Sequence, residues 1–466
     1  MALQKRIVSR VLVHAKRALT FYSRVDCLRP LDAMRQDLAR TYICAKRRGT
    51  HQTPPWRAMA GDCNAAAGVD AEVVIVGGGI AGLATALALR RAGAARGGGG
   101  VLVLERHAEL RATGAALTIF PNGWMALRAL GVARKLTSRY ASYETSKVTN
   151  LDTGATQVFR FAGNKDKSED VRLRVVDRKA LLEALAEELP PGTVRFSSKL
   201  VAIDTKRAVA GDSSEETVVL RLDDGTVIRA KVLIGCDGVH SVVARWLGLS
   251  EPASSGRSAV RGLSVFPGGH HMKPELRQFL SEGVRAGMVP ISDTDVYWFL
   301  VNNTVAAEKE AAGDPVRTLR EVTDNLGRHM PAEYLDVVRH SDHANLSWAP
   351  LLYRSPLSLL TGAAARGAVT VAGDAFHPMT PDMAQGGCSA LEDAVRRWRA
   401  AWLVAGAYVS GWVQQGGTNV RGVRGWLVKA FRDWVFYPLV FPRLADTMWF
   451  DCGDLTPCTQ CKSHTE

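Results

Sequence analysis

Residues Ala71–Gly93 read AEVVIVGGGIAGLATALALRRAG. The run VVIV is continuous and apolar, as a strand buried on both faces of a parallel sheet must be. Ile80–Ala92 is dense in Ala and Leu and reads as a helix. Between the two, Gly77, Gly79 and Gly82 fit the pattern G-x-G-x-x-G. Gly77 permits the tight turn, Gly79 lets backbone approach a pyrophosphate, and Gly82 lets the helix pack close on the strand. Phosphates then sit on the helix N-terminus, where free N–H groups and the helix dipole favour anions. The motif alone is weak, but a strand before it and a helix after it supply the context it needs.

A second strand follows at Val101–Arg106, VLVLER. Glu105 is placed to accept hydrogen bonds from a ribose hydroxyl, with Arg106 beside it. The acid lies 28 residues after Gly77, beyond the usual ~20. The glycine-rich Ala95–Gly100 accounts for the excess as a lengthened loop. An acid here suits a free 2′-hydroxyl, so this pocket fits NAD or FAD and not NADP.

Two later stretches repeat the strand-then-turn form. Ala230–Gly248, AKVLIGCDGVHSVVARWLG, has a strand, a turn at Asp237–Gly238 and a helix. A simple dehydrogenase has no need of it. In GAVTVAGDAFHPMTPD the strand Ala368–Ala372 leads directly to Gly373–Asp374. An acid at a strand's carboxyl end can reach a ribityl or ribose hydroxyl. Pro378 and Pro381 stiffen the turn and delay the helix. Gly386–Gly387 then presents backbone N–H groups at the helix start, suited to negative charge on a reduced flavin.

In this order and spacing the three motifs resemble the single-component FAD-dependent monooxygenases. That aromatic hydroxylase-like family includes para-hydroxybenzoate hydroxylase-like and salicylate hydroxylase-like enzymes, kynurenine monooxygenases and zeaxanthin epoxidases. HPMTPD and QGGCSALEDA, with the C-terminal FRDWVFYP and DCG, are similar to its plant monooxygenase subgroup. The resemblance spans roughly Ala71 to Asp454. It implies that Gly77, Gly79, Gly82 and Glu105 hold the ADP half of FAD. It implies that Asp237 and Gly238 serve both FAD and NAD(P)H, and that Asp374 holds the ribityl chain. Val171–Leu185 matches the family's arginine-containing helix start, with Arg178 at the position that contacts FAD and Arg174 as second candidate. The implied reaction uses NAD(P)H and O2 to hydroxylate a small aromatic or lipophilic substrate through a flavin C4a-hydroperoxide. The cofactor carries the hard step, so no protein nucleophile is needed and no catalytic residue is assigned. An isoprenoid or carotenoid epoxidase is the alternative.

Two departures from the family pattern raise a third reading, a flavin-binding but inactive chain. The family has P-x-x-G-Q-G where this sequence has Ala384 in place of the first glycine. If that position needs a positive φ, a Cβ costs about 1–2 kcal/mol. The family also carries a longer segment after Val395 than stands here.

The expected fold is α/β: a Rossmann-like FAD-binding domain with an interleaved β-sheet substrate domain and a C-terminal helical segment. The boundaries are a basic leader over 1–68 and FAD-binding parts over 69–145, 169–250 and 356–397. A substrate-domain hairpin covers 146–168, the substrate domain 251–355, and the C-terminal segment and tail 398–466. AVRGLSVFP, MVPIS and DVYWFLVN read as strands, with Arg261, Met288, Pro290 and Trp298 as pocket-lining candidates. His377 in its turn reads as a structural hydrogen-bonding residue.

The formal net charge is +13, but residues 1–60 carry thirteen Lys/Arg against three Asp. A nucleic-acid binder keeps its basic footprint on the folded domain, so nucleic acid is not an expected partner. The leader is either an organelle transit peptide, for a chloroplast or mitochondrion, or a mis-extension ahead of a cytoplasmic start at Met59. Eight scattered cysteines do not suggest a disulfide framework, and a reducing compartment is the default. Cys452, Cys458 and Cys461 with His464 fall short of a zinc site; no metal is expected. No apolar run reaches membrane-spanning length, and peripheral membrane contact through the aromatic C-terminal segment is the minority reading.

Overall fold

The computed structural model describes residues 69–93, 100–110, 116–160, 172–207, 216–303 and 313–393, with parts of 410–436. All lie in the compact unit Asn64–Glu466. The leader, the Ala95–Gly99 loop, the segment after Val395 and the cysteine tail lie outside the described residues.

In chain order the first elements are β1 (Val69–Val76), α1 (Ile80–Arg91), β2 (Val101–Leu104), β3 (Ala116–Ile119), α2 (Pro121–Ala129) and α3 (Ala133–Thr137). Next come β4 (Thr145–Asn150), β5 (Thr156–Arg160), β6 (Arg174–Asp177), α4 (Arg178–Ala186), β7 (Val194–Arg195), β8 (Leu200–Arg207), β9 (Glu216–Leu222), β10 (Val227–Gly235) and α5 (Val242–Trp246). The substrate-side strands are β11 (Ala253–Val265), β12 (Glu275–Ser281), β13 (Val284–Pro290) and β14 (Asp295–Asn302). Then follow α6 (Pro315–Arg320), α7 (Ala332–Arg339), β15 (Ser347–Tyr353), α8 (Pro356–Thr361), β16 (Ala365–Arg366), β17 (Val369–Val371), α9 (Gly386–Glu392) and α10 (Gly422–Phe431).

One sheet runs β16-β17-β10-β1-β2-β7, with β8 and β9 branching from β10. β17, β10, β1, β2 and β7 are mutually parallel. Parallel strands need crossovers on both faces, and apolar layers bury this sheet on either side. Ile75, Leu83, Leu87, Val103, Leu127 and Leu181 belong to one layer; Val74, Leu104, Leu233, Val243 and Val371 belong to the other. The three glycine or acid motifs all fall at the carboxyl ends of β1, β10 and β17, where ligands of open α/β sheets bind.

The second sheet runs β15-β11-β14-β13-β12-β4-β5. The hairpin β4–β5 joins it through parallel pairing of β4 with β12. The chain thus leaves the first sheet, contributes a hairpin to the second, pairs β6 with β3 in a small two-stranded sheet, returns to the first sheet for β7 to β10, and leaves again. β12 and β15 were not anticipated as strands; both are short of the alternation that marks the others. The described C-terminal residues pack on this sheet: Val413 and Phe436 bury against Val148 and Leu280. Leu427 and Phe431 of α10 stay exposed. No described helix is long and apolar enough to cross a membrane.

Candidate functional site

The turn after β1 behaves as its glycines require. Gly77 has φ +106°, and a Cβ there would stand 2.7 Å from the Cys236 carbonyl carbon. A Cβ on Gly82 would overlap the Gly77 carbonyl oxygen, so only glycine lets α1 start this close to β1. Gly79 is different: its φ is −81° and a Cβ would meet nothing within 4 Å. The space beside Gly79, at the N-terminus of α1, is open.

Glu105 closes one side of that space. Its carboxylate is buried and accepts from Gly78 N at 2.7 Å, from His107 N at 2.9 Å, and pairs with His107 Nδ1 at 2.7 Å. Both bonds from His107 fall on Oε1, so Oε2, which accepts only from Gly78 N, keeps a further lone pair for a hydroxyl. Arg106, its neighbour, is exposed. His107 was not singled out in the sequence; an acid followed two residues later by His at a strand end is the signal that marks it.

Asp237 stands at the end of β10, where its carboxylate is occupied by the start of α5. It accepts from Ser241 Oγ at 2.5 Å and from Val242 N at 2.7 Å. Burial raises its pKa, against the pull of these hydrogen bonds. Gly238 turns the chain with φ +79°.

Asp374 follows β17. Its side chain is exposed at the carboxyl end of the strand. Burial raises its pKa; His377, Arg178 and Arg261 pull the other way. Arg178, the first residue of α4, is itself desolvated, which lowers its pKa, with Asp374 opposing and Arg261 adding to the fall. Its Nε is buried without a hydrogen-bond partner. Asp374, Arg178 and Arg261 are thus close enough to feel one another's charge. Burial raises the Tyr297 phenol, while Arg261 and Arg285 oppose the shift.

The substrate-side candidates divide by strand parity. β11 and β14 pair Arg261 with Phe299 and Gly262 with Trp298. Successive residues of a strand face opposite ways, so Arg261 and Trp298 point to opposite faces. Trp298 and Met288 are buried in the layer between the sheet and α7, with Val260, Tyr334 and Val337. Trp298 donates to Ser341 Oγ at 2.8 Å. Pro290 sits opposite Val296 of that same layer. The expectation that Met288, Pro290 and Trp298 line the pocket is therefore corrected: they face the layer under α7, and Arg261 alone of the four lies on the opposite face, with Tyr297 and Val289.

The turn between β17 and α9 holds most of what sequence did not reveal. His377 is fully buried, and its Nε2 lies 2.6 Å from Asp393 Oδ1. The other Asp393 oxygen accepts from Gly373 N. Ala384 adopts φ +51°, ψ +28°, the left-handed conformation. Gln385 follows, buried, its Oε1 accepting from Asn122 Nδ2 at 2.9 Å. Gly386 and Gly387 then open α9; a Cβ on Gly387 would stand 2.6 Å from Leu117. Among the described residues no group of three His, Cys, Asp or Glu side chains could hold a metal ion.

A glycine turn open to phosphate after β1, an acid at the end of β2, and an exposed acid at the end of β17 beside a second sheet suit a flavin-dependent oxygenase. The chain belongs to the single-component FAD monooxygenase family, and the family model described as FAD binding domain matches residues 70–412. Monooxygenase 2 of Arabidopsis thaliana is 36% identical over 83% of this chain and 98% of that protein. 3-Hydroxybenzoate 6-hydroxylase 1 of Aquipseudomonas alcaligenes is 30% identical over 69% of this chain and 78% of that protein. The crystal structure of Klebsiella pneumoniae HpxO complexed with FAD and uric acid shares the fold, with a TM-score of 0.66 and 20% identity, over 82% of this chain and 96% of that one. The chain is an FAD-dependent monooxygenase, an oxidoreductase whose cofactor is FAD.

Proposed function

We propose that this monooxygenase uses NADH or NADPH and O2 to hydroxylate a small aromatic or lipophilic, electron-rich compound. The observation that carries the reading is the group Asp374, Arg178 and Arg261, whose charges act on one another at the carboxyl end of β17. When bound there, FAD supplies the redox chemistry and the activation of oxygen.

The protein's part is to bind, orient and exclude water. The open space at Gly79 and the α1 N-terminus suits the pyrophosphate, and the remaining lone pair of Glu105 Oε2 suits the adenosine ribose. Asp374 would accept from a hydroxyl of the ribityl chain. Arg178 and Arg261 bring two positive charges against one acid, an excess that favours an anionic ring or substrate held between them. Asp237, spent on capping α5, would act by fixing the Gly238 turn and not by direct contact. Val289 and Tyr297 offer the substrate an apolar and aromatic wall.

The test is direct. The purified protein should carry a flavin absorption band, oxidise NADH or NADPH faster in the presence of an electron-rich phenol or aromatic acid, and place one 18O atom from labelled O2 in the product. Label in an epoxide of an isoprenoid would establish the alternative activity. Flavin binding with no substrate-stimulated turnover would support the inactive reading, which the strained Ala384 favours.

A further inference from the structure

A buried ion cluster ties the flavin-side turn to the substrate sheet. Asp382 lies in the turn two residues before Ala384, and its side chain is wholly buried. Arg257 of β11 grips it with two parallel bonds, Nη1–Oδ1 at 3.0 Å and Nη2–Oδ2 at 2.7 Å. Arg285 of β13 adds a third, Nη1–Oδ1 at 3.1 Å. The rest of the Arg285 guanidinium donates to Gln278 Oε1 of β12 at 2.8 and 3.1 Å and lies over the Phe299 ring, 5.5 Å from its centroid. The side chains of Arg257 and Arg285 are 5% and 10% exposed, so solvent does not screen the cluster. Any side chain at Gly411 would overlap both Asp382 and Arg257, so the C-terminal segment closes over it.

We propose that Asp382 is a positioning residue: through Arg257 and Arg285 it sets the placement of the Ala384–Gly387 turn against the flavin. The reasoning is geometric. A buried ion cluster is weak as a source of stability, because desolvation offsets its attraction. A two-bond arginine–carboxylate fork, however, fixes orientation as well as distance. Here the fork from β11 and the added bond from β13, the two strands that flank β14 in one sheet, hold a turn of the other domain. Three residues on from Asp382 the turn reaches Gln385 and the N-terminus of α9. Arg257 and Arg261 both belong to β11, so one strand orders both the turn and the arginine whose charge acts on Asp374. This rests on the FAD-binding reading and not on which substrate is hydroxylated.

Two variants test it, read on FAD itself. Arg257→Lys keeps the charge but loses the fork. Arg257→Met/Arg285→Met/Asp382→Leu removes every charge together, so that none is left unpaired. FAD affinity from flavin fluorescence quenching, the visible absorption maxima of bound flavin, and thermal stability of the apoprotein are measured for each beside the parent chain. The expected result is FAD binding weakened about tenfold or more, with shifted maxima, in whichever variant keeps the parent's apoprotein melting temperature. Parent-like affinity and spectrum in a folded triple variant would overturn the proposal and leave the cluster a structural tie only. Because no substrate is added, a failed hydroxylation assay does not touch this result.

Discussion

His377 Nε2 lies 2.6 Å from Asp393 Oδ1 inside the protein, joining the turn after β17 to the end of α9. Asp393 also accepts from Gly373 N, so one carboxylate fixes both ends of the segment that carries Asp374. Burial alone would lower the His377 pKa; Asp393, by charge and hydrogen bond, outweighs it, and the net shift is upward from 6.5. A histidine whose folded pKa is raised contributes stability that is complete below its unfolded value and is lost as pH rises through the folded value. The melting temperature should therefore fall as pH climbs upward from about 6.5. Asp393→Asn should flatten that slope and cost about 3–5 kcal/mol at pH 6, since it strips a buried cation of its partner. Melting curves across pH 6–9 (a range of about three units around the histidine value) check both; an equal slope in the variant refutes the assignment.

Gly79 and Gly82 should fail differently. Gly82→Ala drives a methyl into the Gly77 carbonyl oxygen, a backbone atom that cannot give way. A loss of about 3 kcal/mol or more in apoprotein stability is expected. Gly79→Ala meets nothing and needs no unusual φ, so the apoprotein should melt as the parent does, while FAD binding weakens because the new methyl occupies the phosphate's approach. Calorimetry of the apoproteins and FAD titration separate the two effects.

Ala384→Gly should stabilise the protein. The alanine holds φ +51° on an exposed turn position. Relief of left-handed strain contributes about 1–2 kcal/mol, and the added freedom of the unfolded glycine takes back about 0.5–1 kcal/mol. A net gain of up to about 1.5 kcal/mol follows, together with tighter FAD binding if the turn relaxes toward the flavin. Denaturant titration reads the sign; a destabilised variant would show that the turn does not store this strain.

Asp374→Asn removes the charge that Arg178 and Arg261 share. The two cations then lose the charge that opposes their mutual repulsion. FAD binding should weaken by about 1.5–3 kcal/mol, the range for a hydrogen bond to a charged group. Arg178→Ala in the same background should cost less than it does alone, because the residues face one another. Equilibrium dialysis of FAD against the single and double variants measures that coupling.

Much of the cofactor side was legible in the primary structure because it is governed by local rules. A buried parallel strand must be apolar, a tight turn at φ +106° must be glycine at Gly77, and a helix N-terminus must follow for an anion to be held. The contact of Glu105 with Gly78 crosses 27 residues yet was foreseeable, since adjacent parallel strands place their carboxyl ends side by side. Even the strain at Ala384 was anticipated, because a glycine position in a turn states its own backbone demand. The remainder depended on how the two sheets dock. His377 looked like an isolated structural residue until α9 brought Asp393 to it. Asp382 looked like a turn residue until the second sheet supplied Arg257 and Arg285, 125 and 97 residues away. Met288 and Trp298 had the right composition for a pocket and the wrong parity for it. Strand period and turn chemistry are encoded within a few residues, whereas the partner of a buried charge is chosen by packing between elements far apart in the chain. Only the folded protein could name those partners.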